Sequence, residues 1–394
     1  MRSRMRPHRR KGAGATSLPL AAELVPFNSE RKDLIMSSPS RVLDASSRVL
    51  VVGAGLTGSL CAYLLRKELK HKKVHIVVWD KARGVGGRMS TFRPPDPSSH
   101  SADLGAQYIS ATRDYARAHH SFYSELLAAG ILRQLDCAVE GLRHRDGSVD
   151  YVAPLGMSSV VKHFLRQSGA DLCLEHQVSG LYRHGASWEV RKKQGGSHNF
   201  DSVLLTIPVP QILQLEGDLG DVLSVQQKEL LRGVTYSSRF ALALFFPPGA
   251  DVGVPWAVRY YNNGDDDEAK VICYASVDSR KRGAEGDAGP GPSLVVHTGV
   301  PFGLRHLERD AEEVRPIILR ELERLLPALP QPTGVKCHKW RYSQVASAVA
   351  GCPGHMMLSE RPLLLCAGDA FTHSNFDGCL VSALSTLRAF QDVL

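Results

Sequence analysis

The chain has 394 residues, 43% of them hydrophobic and 22% charged, a globular composition with ample length for one large core or two intertwined domains. No 18-residue apolar run occurs, which argues against a transmembrane helix. Net charge is +8, but residues 1–48 hold ten Lys or Arg against four Asp or Glu, so the remainder carries only about +2 and offers no footprint for nucleic acid.

Residues 1–47 lack a core pattern and read as a disordered or processed extension. The start is basic and free of acids until Glu23, with no apolar h-region, so a cleaved secretory signal is not expected. A mitochondrial presequence is the alternative, although Pro7, Gly12 and Gly14 interrupt an amphipathic helix. Met36 lies just before the first strand. The expected location is cytosolic, or secreted without a recognisable cleaved signal. The cysteines (Cys61, Cys137, Cys173, Cys273, Cys337, Cys352, Cys366 and Cys379) form no C-x-x-C pair and read as buried free thiols. No metal site is expected.

The organising stretch is Arg48–Gly58. Its β-branched start reads as a buried parallel strand, followed by Gly53, Gly55 and Gly58 at G-x-G-x-x-G spacing and a helix over Ser59–Leu69. Gly53 allows the tight turn, Gly55 lets a pyrophosphate approach the backbone, and Gly58 lets helix and strand pack closely. Free N–H groups at the helix start favour phosphate, and Thr57 adds a hydroxyl. A second strand, Val74–Trp79, ends in Asp80, placed to bind a ribose hydroxyl. Then Gly86-Gly87-Arg88 puts bare backbone and a cation suited to phosphate beside the first loop.

After a Pro/Ser-rich loop, Ala102–Ile109 forms a turn and strand, and Tyr115–Ala129 an amphipathic helix ended by Gly130. Tyr151–Arg166 continues into a helix with Ser158 as N-cap. Strands are expected at Asp171–Glu175, Gln177–Tyr182, Ser187–Lys192 and Phe200–Ile207. Ser224–Leu231 reads helical. Strands Arg239–Phe246, Val271–Ser276 and Ser293–Thr298, separated by acidic, Gly-rich loops (Asn262–Glu268, Arg282–Pro292), then suggest a mainly antiparallel sheet. A charged helix over Ala311–Leu326 follows, and Trp340–Ala350 leads back. A last buried strand, Pro362–Cys366, runs into Gly368-Asp369. The final helix, Cys379–Phe390, starts behind Asp377-Gly378. Asp369 suits a ribitol hydroxyl, and the N–H groups near Gly378–Leu380 suit the pyrimidine end of a flavin. The combination selects a flavin over a nicotinamide cofactor.

From about Arg48 to the C-terminus the chain resembles the renalase family of the amine oxidase-like flavoprotein superfamily. The resemblance rests on Val52–Leu64 (VGAGLTGSLCAYL), Trp79–Met89, Ala102–Ile109 (ADLGAQYI), Tyr236–Arg239 (YSSR), His297–Gly303 (HTGVPFG) and Ser374–Leu384 (SNFDGCLVSAL). It implies an α/β fold of the hydroxybenzoate-hydroxylase type: a Rossmann-type FAD-binding domain with an inserted, mainly antiparallel α+β substrate domain. Residues 48–115, 150–212 and 336–394 would form the FAD-binding parts, and 116–149 and 213–335 the substrate parts. It further implies oxidation of isomeric 2- and 6-dihydro-NAD(P) to NAD(P)+, with O2 reduced to hydrogen peroxide. Lys81, Gln107, Tyr108 and Gly368 join the cofactor contacts expected above.

Cys379 lacks the sequence setting of covalent flavin attachment, so noncovalent FAD is expected. No paired-aromatic amine cage is visible near the C-terminus, where Phe371 and Phe376 are the nearest aromatics. The expected substrate-site candidates are Tyr236, Arg239, Trp256, His297 and Asn375. Trp256 reads equally as sheet packing, His297 as a hydrogen-bonded core residue and Arg239 as a surface charge. Two other functions stay open: a flavin amine oxidase, and an extracellular interaction protein with structural FAD.

Overall fold

The computed structural model of the chain describes residues 47–141, 147–261, 270–284 and 289–393. The expectations for the N-terminal extension and for the Asn262–Glu268 loop lie outside the described residues, as does part of the second acidic loop. The elements that position the site are, in order, β1 (Ser47–Val52), α1 (Leu56–Glu68), β2 (Val74–Trp79), α2 (Ser158–Ser168), β3 (Asp171–Cys173), β4 (Ser202–Leu205) and β5 (Arg239–Phe245). They continue with β6 (Val258–Tyr260), β7 (Ile272–Val277), α3 (Asp278–Lys281), β8 (Ser293–Thr298), α4 (Ala311–Leu325), β9 (Gly334–Trp340), β10 (His355–Glu360), β11 (Leu363–Ala367) and α5 (Phe376–Val393).

One six-stranded sheet runs β10-β11-β4-β1-β2-β3, with only the β10–β11 pair antiparallel. Its central strands are apolar along their length because both faces are covered. Val49, Val51, Ile76, Val78, Leu204 and Leu365 pack on one side with α1, α2 and α5. Their neighbours Leu50, Val52, Val77, Trp79, Val203, Leu205, Leu364 and Cys366 pack on the other, together with Leu181, Trp188 and Val190. The second six-stranded sheet runs β9-β5-β8-β7-β6 and ends in a short strand, Val139–Glu140. All its pairs are antiparallel except the last. Along β5, Phe240, Leu242 and Leu244 share a core with Val314, Ile318 and Leu322 of α4. Ala241, Ala243 and Phe245 face Ala102 and Leu104 instead. The α/β class and both sheet types agree with the sequence reading.

Several local expectations change. The helix expected over residues 115–129 is two helices, Arg113–Ala118 and His120–Ala128, meeting at His119, whose buried ring bonds Asp377. Ser158 is the first residue of α2 and not its cap; its hydroxyl has no protein partner. The first N–H groups are satisfied from elsewhere in the chain: Met157 N donates to Asp103 Oδ1 at 2.9 Å and Ser158 N to Thr91 Oγ1 at 3.1 Å. The expected strand over 200–207 is shorter, four residues at 202–205, and β9 is a strand the sequence reading passed over. None of the eight cysteines forms a disulfide. No helix among the described residues is long and apolar enough to cross a membrane.

The segment 102–108 is tied to the second sheet by four buried charges. Arg282 Nη2 lies 2.6 Å from Asp103 Oδ2 and 2.8 Å from Asp278 Oδ2, and Lys281 Nζ lies 2.7 Å from Asp278 Oδ1. Asp103 N also donates to Asp278 Oδ2 at 2.7 Å. Burial opposes charge on Asp278, but Lys281 and Arg282 hold its pKa below the ordinary carboxylate value. Replacing Arg282 by Met leaves two buried carboxylates with one cation. The expected cost is about 3–5 kcal/mol, read as a lower urea midpoint.

Candidate active site

The turn from β1 into α1 is shaped by what its glycines touch. Gly53 has φ +113°, and a Cβ there would sit 2.8 Å from Thr206 Oγ1. A Cβ at Gly58 would fall 1.9 Å from the Gly53 carbonyl oxygen, so helix and turn are in backbone contact. At Gly55 a Cβ would meet nothing within 4 Å, and Gly55 precedes α1 without a side-chain cap. The middle glycine therefore presents an open face and uncapped N–H groups, the arrangement a diphosphate needs. Gly86 N donates to Ala54 O at 2.9 Å and Gly87 faces Gly55, so the second glycine loop closes over the first. Asp80 sits beside both, accepting from Ala54 N at 2.7 Å and Ala82 N at 2.8 Å. Each oxygen retains a lone pair for a ribose hydroxyl. Lys81 is exposed next to it, and Thr57 is buried in the first turn of α1 against the Cys379 thiol.

Arg88 and Asp369, expected as separate cofactor contacts 281 residues apart, are bonded to each other. Arg88 Nη1 and Nη2 donate to Asp369 at 2.5 and 2.7 Å, and Ser374 Oγ donates to the same carboxylate. Burial works against charge on Asp369, yet Arg88 and Ser374 hold its pKa below the usual value. Gly368 ahead of it has φ +135° and an open face where Cβ would be. The start of α5 is built differently from expectation. Asp377 is fully buried and accepts from His119 Nδ1 at 2.6 Å and Tyr123 OH at 2.8 Å, so its side chain serves the neighbouring helices. Gly378 is required because a Cβ would lie 2.1 Å from His373 O.

The expected cofactor contacts Gln107 and Tyr108 reach the second sheet. Ala106 N donates to Arg88 O at 2.8 Å, and a Cβ on Gly105 would lie 1.9 Å from that same oxygen, so this segment starts at the glycine loop. It ends on a row of side chains set by strand register: His338 of β9, Ala241 of β5, His297 of β8, Tyr274 of β7 and Tyr260 of β6. Tyr260 and Tyr274 pack edge-on at 5.1 Å, and Tyr274 and His297 are 5.4 Å apart. The Tyr108 and Tyr260 hydroxyls bond each other, and Gln107 Nε2 lies 3.3 Å from His297 Nε2. Burial, with Arg239 and Lys281 nearby, pushes the His297 pKa down to about 3, so its ring is neutral at physiological pH.

The other candidates divide. Arg239 is half-buried; its Nη1 donates to Thr298 O at 3.1 Å and contacts Cys273 Sγ at 3.2 Å. It is no surface charge. Tyr236 OH accepts from Val209 N at 3.1 Å, and burial pushes its pKa up to about 12. Tyr236 also packs edge-on against Tyr342 at 5.1 Å, a pair the sequence reading missed because its members lie far apart in the chain. Trp256 is 0% exposed in the core under α4, and Asn375 Oδ1 accepts from Gly378 N at 2.6 Å, capping α5. Trp256 therefore packs the sheet, and Asn375 shapes the loop before α5. Tyr260 and Tyr274 were also missed, since only register aligns them with His297. Phe371 and Phe376 are buried in separate cores.

A glycine cradle with an open centre, a carboxylate beside it and an aromatic sheet face linked to it define a flavin-dependent oxidoreductase. The comparisons agree. Residues 51–126 match the NAD(P)-binding Rossmann-like domain family, and residues 121–388 match the flavin containing amine oxidoreductase family. Mouse (Mus musculus) renalase is 48% identical over 345 residues, 88% of this chain and 99% of that protein. The fold is shared with a candidate protoporphyrinogen oxidase from Exiguobacterium sp. 255-15, at TM-score 0.66 and 14% identity over 88% of this chain and 99% of that one. It is also shared with putrescine oxidase bound to putrescine, at TM-score 0.61 and 13% identity over 88% and 99%. The chain belongs to the renalase family of flavin-containing amine oxidoreductases.

Two alanine substitutions separate the glycine roles. Gly58→Ala forces a backbone clash and is expected to lower both melting temperature and flavin content. Gly55→Ala places a methyl in open space. It is expected to keep the melting temperature of the flavin-free protein and lose flavin from the purified protein.

Proposed function

We propose that the chain is an FAD-dependent oxidase of isomeric 2- and 6-dihydro-NAD(P), forming NAD(P)+ and hydrogen peroxide. Bound FAD supplies the two-electron acceptor that takes the substrate's hydride and passes the electrons to O2. The diphosphate would rest on Gly53, Gly55, Gly58 and Gly87, with a ribose on Asp80 and Lys81 beside it. Arg88 and Asp369 would act as one bonded unit, presenting the remaining donor and acceptor positions to the cofactor. Gly368 and Gly378 would admit it to the backbone.

The observation that carries the substrate reading is the state of the His297 row. A dihydropyridine becomes aromatic on losing hydride and needs no proton removed beforehand. What it needs is a flat surface, a fixed distance and exclusion of water. His297 is neutral and hydrogen-bonded, Tyr274 and Tyr260 continue the row, and Tyr236 stays protonated. Together with Arg239 as a nearby cation, these groups suit binding and orientation and include no poised general base. Trp256, buried in the sheet core, is left out of this reading, and the exposed Asn375 stays a candidate contact.

Amine oxidation is the second reading, favoured by the family matched over residues 121–388. The Tyr236–Tyr342 pair argues against a cage between those rings: they touch at 5.1 Å and 65°, whereas a group held between two parallel plates needs roughly 7 Å. A purely structural flavin is the third. Rapid anaerobic bleaching by a 2- or 6-dihydronicotinamide, with none by simple amines, is the expected result; no bleaching by either leaves the structural reading.

Three measurements follow from the chemistry. Flavin reduction by 6-dihydro-NAD is expected to be nearly flat between about pH 6 and 9, because the His297 ionisation at about 3 lies below that window. An amine substrate must lose a proton first, so a rate climbing about tenfold per pH unit would identify the amine oxidase. Cys379 is kept as a thiol by burial, its pKa pushed up to about 12, and is a poor nucleophile. Denaturing the yellow protein is therefore expected to leave all flavin in the supernatant. Arg88→Ala removes a charge-assisted contact worth about 1.5–3 kcal/mol and also leaves Asp369 a buried, unpaired carboxylate, so it is expected to weaken FAD binding at least about 10-fold and to lower the melting temperature.

A further inference from the structure

Ser374 lies in the loop before α5, and its hydroxyl joins two parts of the molecule. It accepts from Val345 N at 2.7 Å and bonds the Asp369 carboxylate. A backbone N–H only donates, so the Ser374 proton is left to point at Asp369, and the direction of both bonds is fixed. Asp369 is 4% exposed, and Arg88 Nη1 and Nη2 donate to its two oxygens at 2.5 and 2.7 Å. Val345 pairs with Tyr236 in a short antiparallel ladder of Thr235–Tyr236 with Val345–Ser347, the chain that leads into β5 and out of β9. Val349 N donates to Ala370 O at 2.8 Å, a second tie between this segment and the Asp369 turn that does not involve the serine. Ser382 of α5 makes a similar relay, accepting from Gly368 N at 2.8 Å and donating to Gly354 O at 2.6 Å. There the proton ends on a neutral carbonyl. At Ser374 it ends on a buried charge, where a hydrogen bond counts for more.

We propose that Ser374 is a positioning residue for the cofactor site, fixing the Asp369 carboxylate, and with it Arg88, against the Tyr236–Val345 ladder. The cofactor part of this role rests on the reading of Arg88 and Asp369 above; the hydrogen bond does not. The charged and titratable groups facing the carboxylate are Arg88 from the second glycine loop, Tyr236 from the ladder and Cys379 from α5. Burial opposes charge on Asp369, and Arg88 and Ser374 outweigh it. Flavin binding that needs this carboxylate fails as pH falls through the Asp369 pKa. Losing the Ser374 donor raises that pKa, so the failure moves to higher pH. A serine that merely held the loop would change stability and leave this pH dependence in place.

The test uses the full chain, stripped of flavin and titrated with FAD between about pH 4 and 8. Ser374→Ala is expected to weaken FAD binding about tenfold at about pH 7 and to shift the acid limb of binding to higher pH. The Asp369 carboxyl is followed in the flavin-free protein by 13C labelling of aspartate, with Asp369→Asn to assign the signal. It is expected to titrate at higher pH in Ser374→Ala than in the wild type. Ser374→Thr keeps the hydroxyl and is expected to follow the wild-type curves. An unchanged Asp369 titration and FAD affinity in Ser374→Ala, with only a lower melting temperature, would overturn the proposal. So would a folded Ser374→Thr that behaves as Ser374→Ala does. If the Asp369 titration moves as expected but Asp369→Asn binds FAD as tightly as the wild type, the hold on the carboxylate stands and the cofactor reading of Asp369 falls.

Discussion

The four-charge cluster of Asp103, Asp278, Lys281 and Arg282 is the constraint on which the site depends. Each side chain is nearly or fully removed from water, and the cluster is neutral as a set. Taking such charges out of solvent is costly, and only close geometry with further hydrogen bonds offsets it. Here the hydrogen bonds come from three parts of the chain. Asp103 serves the start of α2, Asp278 receives the Asp103 N–H and the Ser276 hydroxyl, and Lys281 reaches Gln107. Apolar contact would leave residues 102–108 free to slide over the second sheet. Directional ionic contacts give them one register, and that register brings the glycine loop and the aromatic row together.

The cradle is built on steric exclusion. Side chains are shut out at Gly53, Gly58, Gly105 and Gly378 by backbone oxygens or neighbouring groups, whereas Gly55 and Gly368 open outward. The first kind sets how closely helix, strand and loop approach; the second leaves room for a ligand. A similar division runs through β5, where small Ala241 and Ala243 admit residues 102–104 on one face while Phe240, Leu242 and Leu244 fill the core on the other.

Electrostatically, the site is arranged to hold protons in place. Burial raises Tyr236 and Cys379, and burial lowers His297, so each stays neutral across ordinary pH. Two of the permanent charges are engaged, Arg88 with Asp369 and Arg239 with the end of β8. Such a surface suits a reaction driven by orientation and aromatisation better than one driven by proton abstraction.

The amino-acid sequence alone determined the first βαβ unit, down to the bounds of β2, because local hydrophobic period and glycine spacing carry that information. It also carried the parallel and antiparallel halves, the absence of disulfides and the need for glycine at positions 53 and 58. Tertiary structure decided every pairing across long separations. Arg88 meets Asp369, Tyr236 meets Tyr342, and Asp377 turns to His119 because strand order and helix packing bring them together, which no local pattern encodes. The same holds for α2, capped by Thr91 and Asp103 in place of its own Ser158, and for Trp256, buried as packing. The alignment of His297 with Tyr274 and Tyr260 depends on the register of three strands, and a slip of one residue would turn each side chain to the opposite face.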